Sequence, residues 1–235
     1  PHGQAALRHL HRHLRRLRLP IPLDEIGEGL CACCVRLQEA LVPDSVRRIG
    51  DKAFSECRSL LRLFVPGQLN AIGSRAFFGL HLVEIRPALP SQPFRDAILF
   101  PDWSRLTWEQ ANGFSACVTA YDQGTRIDYG LYDQLSEQVI DVEDRFRMAV
   151  VQFRNPARMT PGRQARYLDF LARHVREGLQ DCLERNEVEG IRLLLSCRLL
   201  TADAVEQAIE QANTGRHAEI MMALLVYQRE QFGTR

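Results

Sequence analysis

The sequence predicts an α+β chain, a short β-solenoid followed by an all-α helical-repeat domain. Three observations lead there. One phrase of 23 residues is repeated between Val42 and Arg86. The repetition stops in a proline- and aromatic-rich stretch at residues 87–135. From about residue 136 the apolar residues recur at helical spacing instead.

The first copy of the phrase runs from Val42 to Phe64 and the second from Val65 to Arg86. Val42, Pro43, Val46, Ile49, Gly50, Ala53 and Phe54 return 23 positions later as Val65, Pro66, Leu69, Ile72, Gly73, Ala76 and Phe77. A fixed period of this size marks stacked structural repeats. Leu60, Leu63 and Val65 form an L-x-x-L-x-V strand with its apolar side chains inward. Pro66 closes the strand because it has no N–H for a ladder. The turn at Ile49-Gly50 is read as needing backbone angles that a side chain forbids. Ala53 and Phe54 send one small and one large residue inside. A single coil cannot bury that side alone, but stacked coils can.

The register also runs backwards. Ile26, Gly27, Cys34, Leu37 and Val42 lie 23 positions before Ile49, Gly50, Cys57, Leu60 and Val65, so 20–41 is a worn third copy. Leu14, Leu17 and Leu19 mark the strand of a still earlier coil. The motifs VPDSVRRIGDKAFSECRSL and VPGQLNAIGSRAFFGL resemble the BspA-type leucine-rich repeat, a family of bacterial solenoids. That resemblance implies a right-handed stack with a strand on one face, serving binding rather than catalysis. It names no ligand.

Four segments are expected: 1–19, a basic cap or degenerate repeat; 20–88, the repeats; 89–135, a connector; and 136–235, the helical domain. Residues 1–19 carry Arg8, Arg12, Arg15, Arg16 and Arg18 with no acid. They read as a cap on the solenoid or as a basic arm for nucleic acid or an acidic partner. His9, His11 and His13 lack nearby carboxylates, so no metal is expected there. In CACC, Cys31 and Cys34 have metal-ligand spacing, but zinc usually takes a second such pair and none follows. The repeat register makes Cys31 the equivalent of Phe54 and Cys34 that of Cys57, hence interior thiols.

The x positions of each strand face outward and align in columns. They are Gln38, Glu39 and Leu41; Leu61, Arg62 and Phe64; and Val83, Glu84 and Arg86, joined by Arg15, Arg16 and Arg18 if the first strand forms. Glu39, Leu41, Arg62, Phe64, Glu84 and Arg86 are the candidate partner-binding residues, since arginine beside aromatic and apolar groups is the composition of binding hot spots. The same face could instead be covered by the helical domain.

The connector holds eight of the 18 aromatics, among them Phe100, Trp103, Trp108, Phe114 and Tyr132. It is expected to cap the last coil and join it to the next domain, with a short strand at 97–100. A second reading is an aromatic pocket with Asp122, Asp128 and Asp133.

In the helical segment, Asp141 with Asp144 opens a helix through Phe153. Thr160-Pro161 opens a second. Further helices run from Val175 to Leu183, ending near Asn186, and over Val188, Ile191, Leu194 and Leu195. Thr201 caps the next, which Gly215 is expected to end. Ile220, Met221, Leu224 and Leu225 mark the last. Asn186–Leu200 and Arg216–Glu230 echo each other at a shift of 30, matching Glu189, Leu194 and Leu195 to Glu219, Leu224 and Leu225. This resembles the second half of ankyrin repeats, G-x-x-E-I-V-x-x-L-L. It departs from them in Gly190 within a helix and in the missing T-P-L-H segment. A plain helical bundle remains the alternative.

Composition narrows the function. Apolar content of 46% and charge of 25% fit a globular chain, and a net charge of +1 provides no general pull towards nucleic acid. The 29 arginines against the single Lys52 reflect coding bias. No apolar run approaches the ~20 residues that span a bilayer. The basic start lacks an apolar core, so no signal peptide is expected. Seven cysteines, several at interior repeat positions, favour a reducing, cytoplasmic setting. The chain begins at Pro1, and a surface or secreted location stays open if a leader precedes it. No phosphate loop, dinucleotide fingerprint, zinc-protease or hydrolase-elbow motif occurs. The expected function is therefore non-catalytic protein recognition without a cofactor. The alternatives are a nucleic-acid-binding accessory role for the arginine-rich start and a pocket in the connector.

Overall fold

The computed structural model describes residues 14–86, 96–121, 124–154 and 158–233. The chain divides into two compact units, Pro1–Val139 and Ile140–Arg235. The first contains strands β1 (Arg16–Arg18), β2 (Glu25–Ile26), β3 (Glu39–Leu41), β4 (Arg48–Ile49), β5 (Arg62–Pro66), β6 (Ala71–Ile72), β7 (Leu82–Arg86), β8 (Asp96–Leu99), β9 (Val118–Tyr121) and β10 (Gly124–Ile127), with helices α1 (Trp108–Ala116) and α2 (Tyr129–Glu137). The second holds α3 (Val142–Phe153), α4 (Pro161–Arg173), α5 (Val175–Arg185), α6 (Val188–Ser196), α7 (Ala202–Thr214) and α8 (Ala218–Phe232).

The coils stack as the period requires. One sheet has the order β1-β3-β5-β7-β8 and another β2-β4-β6. Leu17 pairs with Ala40 and Ala40 with Leu63, while Ile26, Ile49 and Ile72 form one ladder. Phe54 and Phe77 are both fully buried. Between the strands, amides of one coil donate to carbonyls of the next: Lys52, Phe54 and Glu56 to Ser74, Ala76 and Phe78 at 2.7–2.9 Å. The early strand suggested by Leu14, Leu17 and Leu19 is β1. Cys31, Cys34 and Cys57 lie in the interior as expected, with Cys57 Sγ donating to the Cys31 carbonyl at 2.9 Å.

Two expectations about the coils are corrected. Gly50 and Gly73 do not adopt positive φ. A Cβ on Gly50 would stand 2.7 Å from the Glu28 amide, and one on Gly73 would fall inside 3.0 Å of the Asp51 amide and the Gly50 carbonyl carbon. Glycine is required there because successive coils approach so closely, not because of an unusual backbone angle. The left-handed positions fall in two other columns, Gly29, Lys52 and Arg75, and Cys33, Glu56 and Gly79, with φ between 53° and 80°. Four of these six bear side chains, at a cost of about 1–2 kcal/mol each.

The second correction is one of register. β5 pairs with β7 as Leu63↔Val83 and Phe64↔Glu84, while β4 and β6 keep the 23-residue offset. The last coil is thus three residues shorter between Phe77 and Val83. Val83, read as outward, is 0% exposed. Glu84 stands beside Phe64, and Arg86 beside Pro66.

The expected last strand forms as β8, antiparallel to β7. Aromatic rings then close the end of the stack. Phe78 packs on Trp103 and Trp108 (centroids 5.1 and 5.6 Å), Phe100 on Trp103 and Phe114, and Phe114 on Tyr132. Tyr132 donates to the Leu99 carbonyl at 2.7 Å, and Trp103 Nε1 to that of Leu80. The β9–β10 hairpin, unforeseen in the sequence, is fastened to the last coil by Thr125 Oγ1 donating to the Pro66 carbonyl at 2.7 Å.

In the second unit the side chains of Asp141, Thr160 and Thr201 cap α3, α4 and α7. The core is built from residues such as Phe146, Leu171, Ile191, Leu194, Val205, Ile220 and Leu224. The shift of 30 is visible in the backbone. The Glu187 amide donates to Cys182 and that of Asn186 to Leu183, as His217 does to Ala212 and Arg216 to Asn213. These are paired Schellman closures. Their left-handed residues are Asn186 and Arg216, so the residue that turns the chain after α7 is Arg216, not Gly215. Helix α5 lies on α7 and α6 on α8, a stack of two hairpins. Gly190, the departure noted in sequence, is where α6 meets α5: a Cβ there would lie inside 3.0 Å of Cys182 Sγ.

Candidate protein-interaction surface

The parallel strands β1, β3, β5 and β7 set the outward residues in columns. One column runs Arg16, Glu39, Arg62 and the next Arg18, Leu41, Phe64, Glu84. Of the six candidate residues, the fold brings Arg62, Phe64 and Glu84 into mutual contact. Arg62 Nε lies 3.2 Å from Glu84 Oε1, and its guanidinium carbon lies 5.8 Å from the Phe64 ring centre. Leu41 is the register partner of Phe64 and is 44% exposed, and Glu39 is the partner of Arg62. Arg86 belongs elsewhere: it bridges to Asp44 at 2.9 Å and donates to the Val42 carbonyl. At the β1 end, Arg15, Arg16 and Arg18 are exposed.

This face combines apolar and charged side chains. Two apolar side chains sit in the middle, arginines lie at the β1 end, and the Arg62–Glu84 pair crosses the far side. The Arg62 side chain is 48% exposed whereas that of Glu84 is 13% exposed, so Arg62 shields a mostly buried carboxylate while keeping an outer edge in solvent.

Four of the buried cysteines, Cys31, Cys57, Cys117 and Cys182, are held as thiols. Burial pushes Cys31, Cys117 and Cys182 up to about 12, and a hydrogen bond shared with Cys34 raises Cys57 well above its ordinary range. Cys33 alone in the CACC segment is exposed. Among the described residues no group of three or more His, Cys, Asp or Glu side chains is placed to hold a metal ion. His9, His11 and His13 lie outside the described residues, as does Asp122. Asp128 is occupied as the cap of α2, accepting from the Leu131 amide at 2.9 Å, and Asp133 is buried. A groove formed partly by the connector is lined by neither of them but by Arg75, Asn112, Ser115, Thr119 and Tyr121 among others. Sequence reasoning missed it because its walls come from three separate segments. Among the described residues no helix is long and apolar enough to cross a membrane.

A family model described as the BspA type Leucine rich repeat region, in six copies, matches residues 9–92. No curated protein and no solved structure matches the chain. Over residues 9–92 the chain is similar to BspA-type leucine-rich repeats in its sequence, and the described coils have the stacked geometry that such repeats imply.

Proposed function

We propose that this chain is a non-catalytic protein-recognition module whose partner docks on the outward face of β1, β3, β5 and β7. Leucine-rich repeats serve as interaction domains in general, and the finer reading rests on one observation. Leu41 and Phe64 stand side by side in a solvent-facing column, with Arg62 against Phe64. Glu39 and Glu84 set polarity along the rim, and Arg86 frames it from the Asp44 side. The partner's contact surface carries an apolar centre, with acidic groups towards Arg15, Arg16 and Arg18. The stacked hairpins of the helical unit are an ankyrin-like second recognition element. Five buried free thiols support residence in a reducing compartment.

The test compares proteins cross-linked in cells to wild type and to Leu41→Asp/Phe64→Asp. Loss of specific partners from the double variant, with retention by Lys52→Glu on the turn side of the coil, is expected. Unchanged partners in the strand-face variant would exclude this surface. A second reading is kept by the exposed Arg15, Arg16 and Arg18 on β1, which suit nucleic acid as well as an acidic protein. Phosphate contacts would give DNA or RNA binding a steep salt dependence, and absent or salt-independent binding removes that reading.

A further inference from the structure

At the end of the coil stack, a groove of about 470 Å³ lies between the last turn and the α1–β9 segment. That volume is within the ~300–1,000 Å³ common for small-molecule sites. Among the described residues its lining contains one cation, Arg75, no carboxylate, and the hydroxyl residues Ser74, Ser115, Thr119 and Tyr121.

Arg75 is held in place without being neutralised. Its guanidinium lies over the Trp108 ring, 4.4 Å from the centroid, and Nε donates to Asn112 Oδ1 at 3.0 Å. Asn112 is itself fixed by Nδ2 donating to the Trp108 carbonyl at 3.0 Å. Among the described residues no acceptor meets the two terminal nitrogens of Arg75, and no acid pairs with it. A planar guanidinium held this way offers its remaining edge to a carboxylate or phosphate.

The backbone adds a donor at the same place. Gly29 and Lys52, two and one coils earlier in this column, donate their amides to Asp51 and Ser74 at 2.8 and 2.9 Å. Arg75 is the next member, and among the described residues no further coil follows and no acceptor meets its amide. Ser115, also in the lining, is more than nine-tenths buried, and its hydroxyl has no partner. Buried polar groups normally find partners, and an orphan in a groove wall points to a ligand. Asp51, the acid close by, is already occupied by the Ser74 amide at 2.8 Å.

We propose that this groove binds the oxyanion, a carboxylate or a phosphate, of a small organic molecule, with Arg75 as its counter-ion and the Ser115 hydroxyl as a second contact. The site lies on the turn and cap side of the coils, distinct from the strand face, and stands or falls separately from it.

The full chain is titrated with glutarate, inorganic phosphate and the neutral glutaramide, following amide shifts and heats. Saturable binding of glutarate or phosphate tighter than about 1 mM is expected, with shifts at Arg75, Ser115 and Thr119 and none from glutaramide. Whichever anion saturates first identifies the oxyanion. Arg75→Gln should weaken binding by about tenfold or more, the loss of a charged hydrogen bond. Ser115→Ala should weaken it several-fold, while Lys52→Gln leaves it unchanged. Thermal melts confirm that each variant folds. The proposal is overturned if neither anion saturates, if glutaramide binds as well as glutarate, or if both Arg75→Gln and Ser115→Ala bind like wild type.

Discussion

Gly190→Ala is expected to destabilise the helical unit, although the same change in an exposed helix interior stabilises by about 1 kcal/mol. The reason is the seating of α6 on α5. The new Cβ would fall inside 3.0 Å of Cys182 Sγ, a buried atom with little room to retreat, while Phe146 Cε1 and Val150 Cγ2 stand at 3.4 and 3.7 Å. Overpacking of this kind costs about 1–3 kcal/mol and more where the clash is severe, so the helix gain is outweighed and a net loss of about 1–2 kcal/mol is expected. For a unit of this size that lowers the melting temperature by about 5–15 °C. Cys182→Ala removes the obstructing sulfur. In that background the nearest contact becomes Phe146 at 3.4 Å, and Gly190→Ala should then stabilise. The double-mutant cycle should show a favourable coupling of about 2–3 kcal/mol. Urea unfolding of the four full-length proteins, followed by helical circular dichroism, measures it. A single Gly190→Ala variant as stable as wild type, or additive effects within about 0.5 kcal/mol, would refute the packing argument.

Three further outcomes are expected. Gly73→Ala should destabilise the solenoid more than Gly29→Ala, because a Cβ at Gly73 meets backbone of the preceding coil whereas at Gly29 the nearest neighbour is 3.9 Å away and the cost is only that of a left-handed side chain, about 1–2 kcal/mol; proteolysis of the N-terminal unit ranks the two, and a Gly73→Ala variant no more labile than Gly29→Ala would contradict close coil approach. Asp181 is buried and accepts from Arg185 Nε at 2.7 Å and Arg147 Nη1 at 3.4 Å, while Arg147 also meets Asp144. Asp181→Asn strips the charge that balances a partly buried arginine and should cost about 3 kcal/mol or more, whereas Arg185→Gln, whose side chain is 56% exposed, should cost under about 1 kcal/mol. Calorimetry that finds the two alike would dismiss the network. Finally, Cys182 is held near 12 by burial, against 9 for an ordinary thiol. Above pH 9 the unfolded chain releases that proton and the folded one keeps it. Stability contributed by the buried thiol is therefore complete below pH 9 and lost as pH rises towards 12, by about 1.4 kcal/mol at pH 10. Cys182→Ala should flatten this part of the unfolding profile, and an unchanged slope between pH 9 and 10.5 would show that the thiol is not responsible.

Much of the solenoid was legible because its constraints repeat. Ile49 must sit over Ile26 and under Ile72, and each coil writes the same demand into the same position. The caps at Asp141, Thr160 and Thr201 were legible for a related reason, since a side chain serving an amide three residues on is a local bond. The Gly50–Gly73 column was visible, but its cause was misread: one glycine in a chain cannot reveal whether it serves a backbone angle or a neighbour's approach. Val83 was misplaced because a three-residue shortening leaves an apolar strand that reads acceptably in either register. The corrected register places Phe64 beside Glu84, and Arg86 is drawn away to Asp44.

The sequence by itself determined the coil period, its interior residues and the switch to helices, since periodic burial and capping act between residues at set separations along the chain. Only the tertiary structure decided how the stack ends: the antiparallel β8, the ring cluster over Phe78, the hairpin held by Thr125, and Arg75 stacked on Trp108 beside a buried Ser115. Those contacts join residues tens of positions apart, where no period links one partner to the other, and packing in three dimensions selects the match.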